Sequence, residues 1–249
     1  MNYFSFACCN RYSFAIVIIN VINKITSMSI KVIITGTTGM VGKGVLIECL
    51  ESQEVDSVLI INRSSAGVSH PKLTEIIHKD FSDFNSIKEK LGGYDACFYC
   101  MGVSSLGMNE EEYFRITYTM TEALAKLLYD FNPGMVFNYV SGTGTDSSEQ
   151  GKIMWARVKG KTENMIFKMG FKDAYAFRPG VIIPEKGVKS KTGWVNFMYA
   201  LTKLLFPLML KSKLVTSSSR MGKAMINSVL NPQELKVLEN KDINLLAEL

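Results

Sequence analysis

Three glycines, Gly36, Gly39 and Gly42, stand three residues apart where the apolar run "KVIIT" gives way to a helix-like pattern. Glycine here permits a tight turn and lets backbone N–H groups approach a pyrophosphate, while the last of the three brings helix and strand close together. At a first strand-to-helix junction this spacing points to a dinucleotide cradle, with Thr38, Met40 and Val41 lying inside it. The next strand-like run ends "INRSS". An acidic residue at that place would pair with a ribose 2′-hydroxyl, whereas Arg63, with Ser64 and Ser65, suits a 2′-phosphate. The expected cofactor is therefore NADP in preference to NAD.

Other reactive side chains point to less. His70 and His78 are the only histidines, and neither has a carboxylate and a serine at a spacing that suggests a triad. Both are expected on the surface or in turns. The cysteines at 8, 9, 49, 97 and 100 form neither a disulfide framework nor a zinc pattern, so no metal site is expected. Cys97 and Cys100 make a CxxC, but inside the strand-like "YDACFYCMG", where residues three apart face opposite sides. Buried, inert thiols in a reducing, cytoplasmic setting are the expectation. Asp146 and Glu149 fall in a polar loop that is expected to be solvated.

The elements that must position these residues alternate. Apolar strand-like runs are "IKVIIT", "SVLIIN", "EIIHKD", "DACFYCM", "MVFNYVS" and "AYAFRPGVI". Between them lie amphipathic stretches: one from the glycines to Leu50 with a buried stripe at Val41, Val45, Leu46, Cys49 and Leu50; "SDFNSIKEKL"; one from an Asn109 cap to about Asp130; and "WARVKGKTENMIFKM". Six strands in this order make an α/β, Rossmann-type doubly wound parallel sheet. Residues 28–184 form the dinucleotide-binding domain, and residues 185–249 a small helical, substrate-side C-terminal lobe that contains the strongly apolar "WVNFMYALTKLLFPLMLK". That helix is expected to cap the cleft, with a membrane-facing or protein-binding role for residues 194–210 as the alternative and Pro207 as its kink. Residues 1–27 differ in texture, and their apolar run is too short to span a bilayer. Met28 is the expected start, with a peripheral anchor as the alternative.

The 249 residues carry 28 basic and 23 acidic side chains, a net charge of +5 without a long basic run. That argues against nucleic acid as a partner and is compatible with an anionic cofactor. A small molecule is the expected substrate, and a homodimer is compatible with the sequence.

The glycine turn, "HKDF", "YCMGVS", "YVSGTGTDSS", "WARVKGKTE" and "FRPGVI" together resemble the atypical short-chain dehydrogenase/reductases. The resemblance is to the NAD(P)-dependent epimerase/dehydratase-like proteins near the Tat-interacting protein oxidoreductase branch, and it covers residue 28 to the end. It implies that Asp80 and Phe81 flank the adenine, Gly102 lies beside the adenosine ribose, and Ser141 is the catalytic serine. It also implies that Lys159 bonds the nicotinamide ribose and that Arg178, Pro179 and Gly180 shape the nicotinamide end. One departure stands out. The family's active motif is YxxxK, and Trp155 occupies the tyrosine position. An indole N–H donates a hydrogen bond but is no acid or base near neutral pH. Three readings follow: a reductase or epimerase whose acid is Tyr118, Tyr139 or water; a non-catalytic NADP-binding sensor or scaffold; and a membrane-peripheral protein with a structural cofactor.

Overall fold

A computed structural model describes residues 29–188, 206–210, 212 and 214–249. The expectations for residues 1–27, the Met28 start and most of the apolar 194–210 stretch lie outside the described residues. Among the described residues no helix is long and apolar enough to cross a membrane.

Seven parallel strands form the main sheet in the order β3-β2-β1-β4-β5-β6-β9, from β1 (Ile30–Thr35), β2 (Val55–Asn62), β3 (Leu73–Ile77), β4 (Ala96–Tyr99), β5 (Val136–Val140), β6 (Asp173–Arg178) and β9 (Val237–Glu239). Their central members are continuous apolar runs, as strands covered on both faces must be. Val32, Ile33, Ile34 and Ile60 have no exposed surface. One face is sealed by α1 (Met40–Glu51) and α6 (Ser218–Leu230), with Val45, Leu46, Met221 and Met225 packed on Val32 and Ile34. The other is sealed by α3 (Met120–Phe131), α4 (Met154–Lys168) and an aromatic turn at residues 81–91.

Strand order reverses between β1 and β4, which opens a crevice at their carboxyl ends where doubly wound folds take ligands. Most of the elements expected from periodicity are present, including the helix capped by Asn109, whose side chain accepts the Glu112 N–H at 2.9 Å. That helix is α2 (Glu110–Phe114), running through a π-turn at Arg115–Thr119 into α3.

Five expectations are corrected. "SDFNSIKEKL" is not an α-helix but successive turns with one 3₁₀ turn at Lys88–Lys90. Asp80 and Asp83 each bind the N–H two residues on, at Ser82 and Asn85, and these local bonds compete with a helix. "AYAFRPGVI" is two strands rather than one. β6 stops before Pro179, which has no N–H for a ladder, and β7 (Val181–Ile183) leaves to pair in parallel with β8 (Val215–Ser217). A seventh strand, β9, comes from the tail at "VLE", too short to show alternation, and α7 (Asn240–Leu246) follows it. The third strand also ends at Ile77, short of Asp80. His78 lies inside the fold rather than on the surface, with Nε2 2.7 Å from the Asp83 carbonyl and its ring stacked on Phe84 at 5.0 Å. Of the apolar C-terminal stretch, the described part is a single turn, α5 (Phe206–Met209).

Candidate functional site

The β1–α1 turn is held by main-chain fit. Gly36 takes φ +74°, and a Cβ there would stand 2.6 Å from the Cys100 carbonyl oxygen after β4. A Cβ on Gly42 would stand 2.4 Å from the Gly36 carbonyl oxygen, so helix and turn touch without side chains between them. The Gly39 N–H donates to that same carbonyl at 2.9 Å, and Gly39 caps α1. No side chain caps α1 and no acidic residue occupies its first turn, so its N–H groups and dipole suit an anion. Asn62, at the end of β2, grips the turn from behind. Its Oδ1 accepts the Thr37 N–H at 3.2 Å and its Nδ2 donates to Thr37 Oγ1 at 2.7 Å.

A cleft of about 160 Å³ opens over this turn. Gly36, Thr38 and Gly39 form its floor, Arg63 and Ser64 one rim, and Phe81, Met101 and Gly102 the other. Met40 and Val41 begin α1, with Val41 packed against the core and its N–H in the first turn. Phe81 is buried within the lining, its ring edge-on to Phe84. Asp80 stands outside the lining, exposed, with its carboxylate held below the usual range by the Ser82 hydroxyl and N–H. The residues present therefore fit a dinucleotide, with backbone donors at the start of α1 that suit a pyrophosphate.

The second end of the crevice is built from side chains on β5 and α4. Ser141 follows β5, is buried, and shares a 2.8 Å hydrogen bond with Thr145 Oγ1. Lys159 donates from Nζ to the Ser141 carbonyl at 3.2 Å and lies 5.6 Å over the Tyr139 ring. Burial pulls its amine down from 10.5 to about 8, with Glu163 opposing. Trp155 sits one turn earlier on the same helical face, half-buried, and its ring would meet a Cβ on Gly144 at 3.5 Å. Gly160 lets α4 press against the loop carrying Ser141: a Cβ there would stand 1.8 Å from the Asp146 carbonyl oxygen. The Asp146 carboxylate closes that loop on the Ser148 hydroxyl and the Gly151 N–H, which hold it below the usual carboxylate range.

Tyr139 and Tyr118, the tyrosines expected as alternative acids, are both engaged within the fold. Tyr139 is fully buried among Tyr99 and Phe137, and burial pushes its hydroxyl well up. The Tyr118 hydroxyl points to Glu122 at 3.5 Å, under Lys161. Arg178 is engaged structurally: its guanidinium grips the buried Glu163 with bonds of 3.0 and 2.5 Å and reaches Ser147 Oγ. The Pro179 carbonyl accepts the Thr143 N–H, and the Gly180 N–H donates to Asn240 Oδ1. The thiols of Cys97 and Cys100 are pushed up by burial. Sequence reasoning missed Asn62, Thr145, Gly160 and Glu163. Gly160, a glycine in mid-helix with no capping role, was the one with a readable signal.

Comparison with known proteins follows this geometry. The model of the "NAD dependent epimerase/dehydratase family" matches residues 32–163. The protein named "FMP52, mitochondrial" of Meyerozyma guilliermondii is 27% identical over 157 residues, a match covering 63% of this chain and 66% of that protein's length. The ADP-L-glycero-D-manno-heptose-6-epimerase of Helicobacter pylori superposes with a TM-score of 0.63 at 15% identity, covering 89% of this chain and 82% of that one. The Bordetella bronchiseptica enzyme WbmH, solved with NAD+, gives 0.61 at 16% identity over 84% and 74%. At such identities the structural likeness shows the fold. The cytoplasmic expectation is corrected, because curated fungal relatives of this chain are named as mitochondrial proteins. Cysteine usage reports a reducing environment and cannot tell one reducing compartment from another. With its family model spanning more than half the residues and its glycine turn at the switch point of the sheet, the chain belongs to the NAD dependent epimerase/dehydratase family, among the atypical short-chain dehydrogenase/reductases.

Proposed function

We propose that the chain binds NADP and acts as an oxidoreductase of this family on a small carbonyl or sugar-like substrate, with its proton delivered in a way that does not use a tyrosine. The observation that carries the cofactor reading is the end of β2. Among the described residues that line the cleft none is a carboxylate, Asn62 at the strand end gives its amide to Thr37, and the exposed Arg63 stands beside Ser64 in the lining. The N–H groups at the start of α1 would hold the pyrophosphate, and Arg63 with Ser64 the 2′-phosphate. The cofactor supplies hydride chemistry when bound. The resemblance reads Ser141 and Lys159 as the catalytic pair, and the 3.2 Å bond from Lys159 Nζ to the Ser141 carbonyl, with an amine drawn down to about 8 by burial, supports that reading. The Lys159 ammonium is the source we assign to a developing alkoxide, with Ser141 and Thr145 orienting the oxygen. Heptose-epimerase likeness supports a sugar-like substrate, and the fungal relatives' names support a mitochondrial location.

Trp155 favours a second reading, a cofactor-binding sensor without turnover. The two are separated by following NADPH oxidation with a panel of small aldehydes, ketones and keto-sugars. Turnover abolished by Lys159→Ala supports the enzyme. Tight NADPH binding with no turnover across the panel overturns it in favour of the sensor.

A further inference from the structure

The strip that carries Arg63 and Ser64 is an exposed connection between β2 and the edge strand β3. Exposed connections of this kind ordinarily leave such side chains unplaced. Here a carboxylate fixes the strip. On β3, Glu75 Oε1 accepts the Ala66 N–H at 2.8 Å and a longer bond from Asn62 Nδ2 at 3.4 Å, and its Oε2 accepts the Ser65 hydroxyl at 2.7 Å. The Ser65 oxygen in turn accepts the Gly67 N–H at 3.1 Å, where the backbone turns with φ +65°. Asn62 Nδ2 is shared with Thr37 Oγ1, so a continuous set of bonds runs from β3 through the Arg63 strip to the glycine turn. Glu75 has no basic partner within ion-pair distance among the described residues. Burial would raise its carboxyl, and the bonds from Ala66, Ser65 and Asn62 outweigh that and hold it low. Its charge is spent on backbone and hydroxyl donors of one strip.

We propose that Glu75 is a positioning residue for cofactor choice, holding residues 62–66 so that Arg63 and Ser64 face the cleft together with the glycine turn. This rests on the NADP reading above. A preset strip does not have to be ordered when the ligand arrives, which favours the ligand that uses it. Simple electrostatics has the opposite sign: a carboxylate near a bound phosphate repels it, so deleting the carboxylate alone would tighten NADPH. The sign of the change therefore separates positioning from charge.

The test is calorimetric titration of NADPH and NADH into the full chain, the Glu75→Ala and Glu75→Gln variants, Arg63→Ala, and the Arg63→Ala/Glu75→Ala double variant. Glu75→Ala should weaken NADPH by about 5- to 10-fold and NADH by less than about 2-fold. Glu75→Gln, which keeps an acceptor for Ala66, should restore most of the loss. In the Arg63→Ala background the second substitution should add less than about 2-fold, because the two residues act through one contact. Unchanged or tighter NADPH binding by Glu75→Ala, or equal weakening of both dinucleotides, overturns the role of Glu75 while leaving the NADP reading standing. A parent chain that binds NADH as well as NADPH, or binds neither, overturns the NADP reading and this inference with it.

Discussion

The two ends of the crevice are made of different materials. At the β1–α1 turn almost every contact that matters is backbone against backbone: Gly36 against Cys100, Gly42 against Gly36, and a helix start with no side-chain cap. At the β5–α4 end the contacts are made by side chains: Ser141 on Thr145, Lys159 on the Ser141 carbonyl, and Trp155 beside Gly144. A backbone cradle tolerates no side chain but is indifferent to what chemistry its neighbours perform. A side-chain constellation can change one member and keep its shape, since Lys159 and Gly160 meet the Ser141 loop through contacts that do not involve Trp155. The first end can therefore be held constant while the second is redirected.

The largest expected effect breaks the backbone end. Gly36→Ala places a methyl 2.6 Å from the Cys100 carbonyl oxygen in a left-handed conformation that alanine resists. The cost is about 2–4 kcal/mol, which in a chain of this size lowers Tm by about 5–15 °C. Dinucleotide binding should fall by roughly 100-fold or more as the turn shifts off β4. A Gly36→Ala protein with parental affinity would show that the close fit to β4 is not what shapes the cradle.

This division also accounts for how much of the molecule was legible in its sequence. The cradle was readable because glycine spacing and a continuous apolar strand are local signals, and so were the helices with whole amphipathic turns. The 81–91 segment reads as a helix because Phe81, Phe84, Ile87 and Leu91 recur at nearly helical spacing, while Asp80 and Asp83 divert the backbone into turns. β9 escaped because three residues cannot display a period, and its place beside β6 is a long-range pairing. At the site, Arg178 reads as a cleft cation but is held by Glu163, fifteen residues earlier on α4 with a buried side chain. Asn62 and Glu75 carry no motif. Their roles exist only because β2 lies between β1 and β3, which brings Asn62 to Thr37 on one side and sets Glu75 opposite Ile60 on the other.

A smaller effect sharpens the comparison at the other end. If the side-chain constellation has lost only its phenol, Trp155→Tyr should restore a proton donor one turn from Lys159 without disturbing the cradle. Carbonyl-dependent NADPH oxidation should then rise by about 10²-fold, the scale of one positioned acid, with NADPH affinity unchanged within about 3-fold. An unchanged rate would mean that the indole position does not face the reacting atoms, and that the two ends differ in more than one residue.

The smallest effect is a slope in stability with pH, and it belongs to Lys159. Burial holds its amine at about 8 in the folded chain, against 10.5 when exposed. Between those values the unfolded chain binds more protons than the folded one, so stability from this group rises with pH across roughly 8 to 10.5 and is lowest below 8, where the buried amine must carry charge. Lys159→Met removes the titrating group and keeps the stem's volume. Denaturant midpoints measured from pH 7 to 10.5 should therefore climb more steeply in the parent than in Lys159→Met, with the variant at least as stable as the parent at pH 7. Parallel curves would show that Lys159 keeps a solvent-like amine in the free chain. The proton source at this end of the crevice would then have to be water or a group that arrives with the substrate, while the backbone cradle at the other end would be untouched by the result.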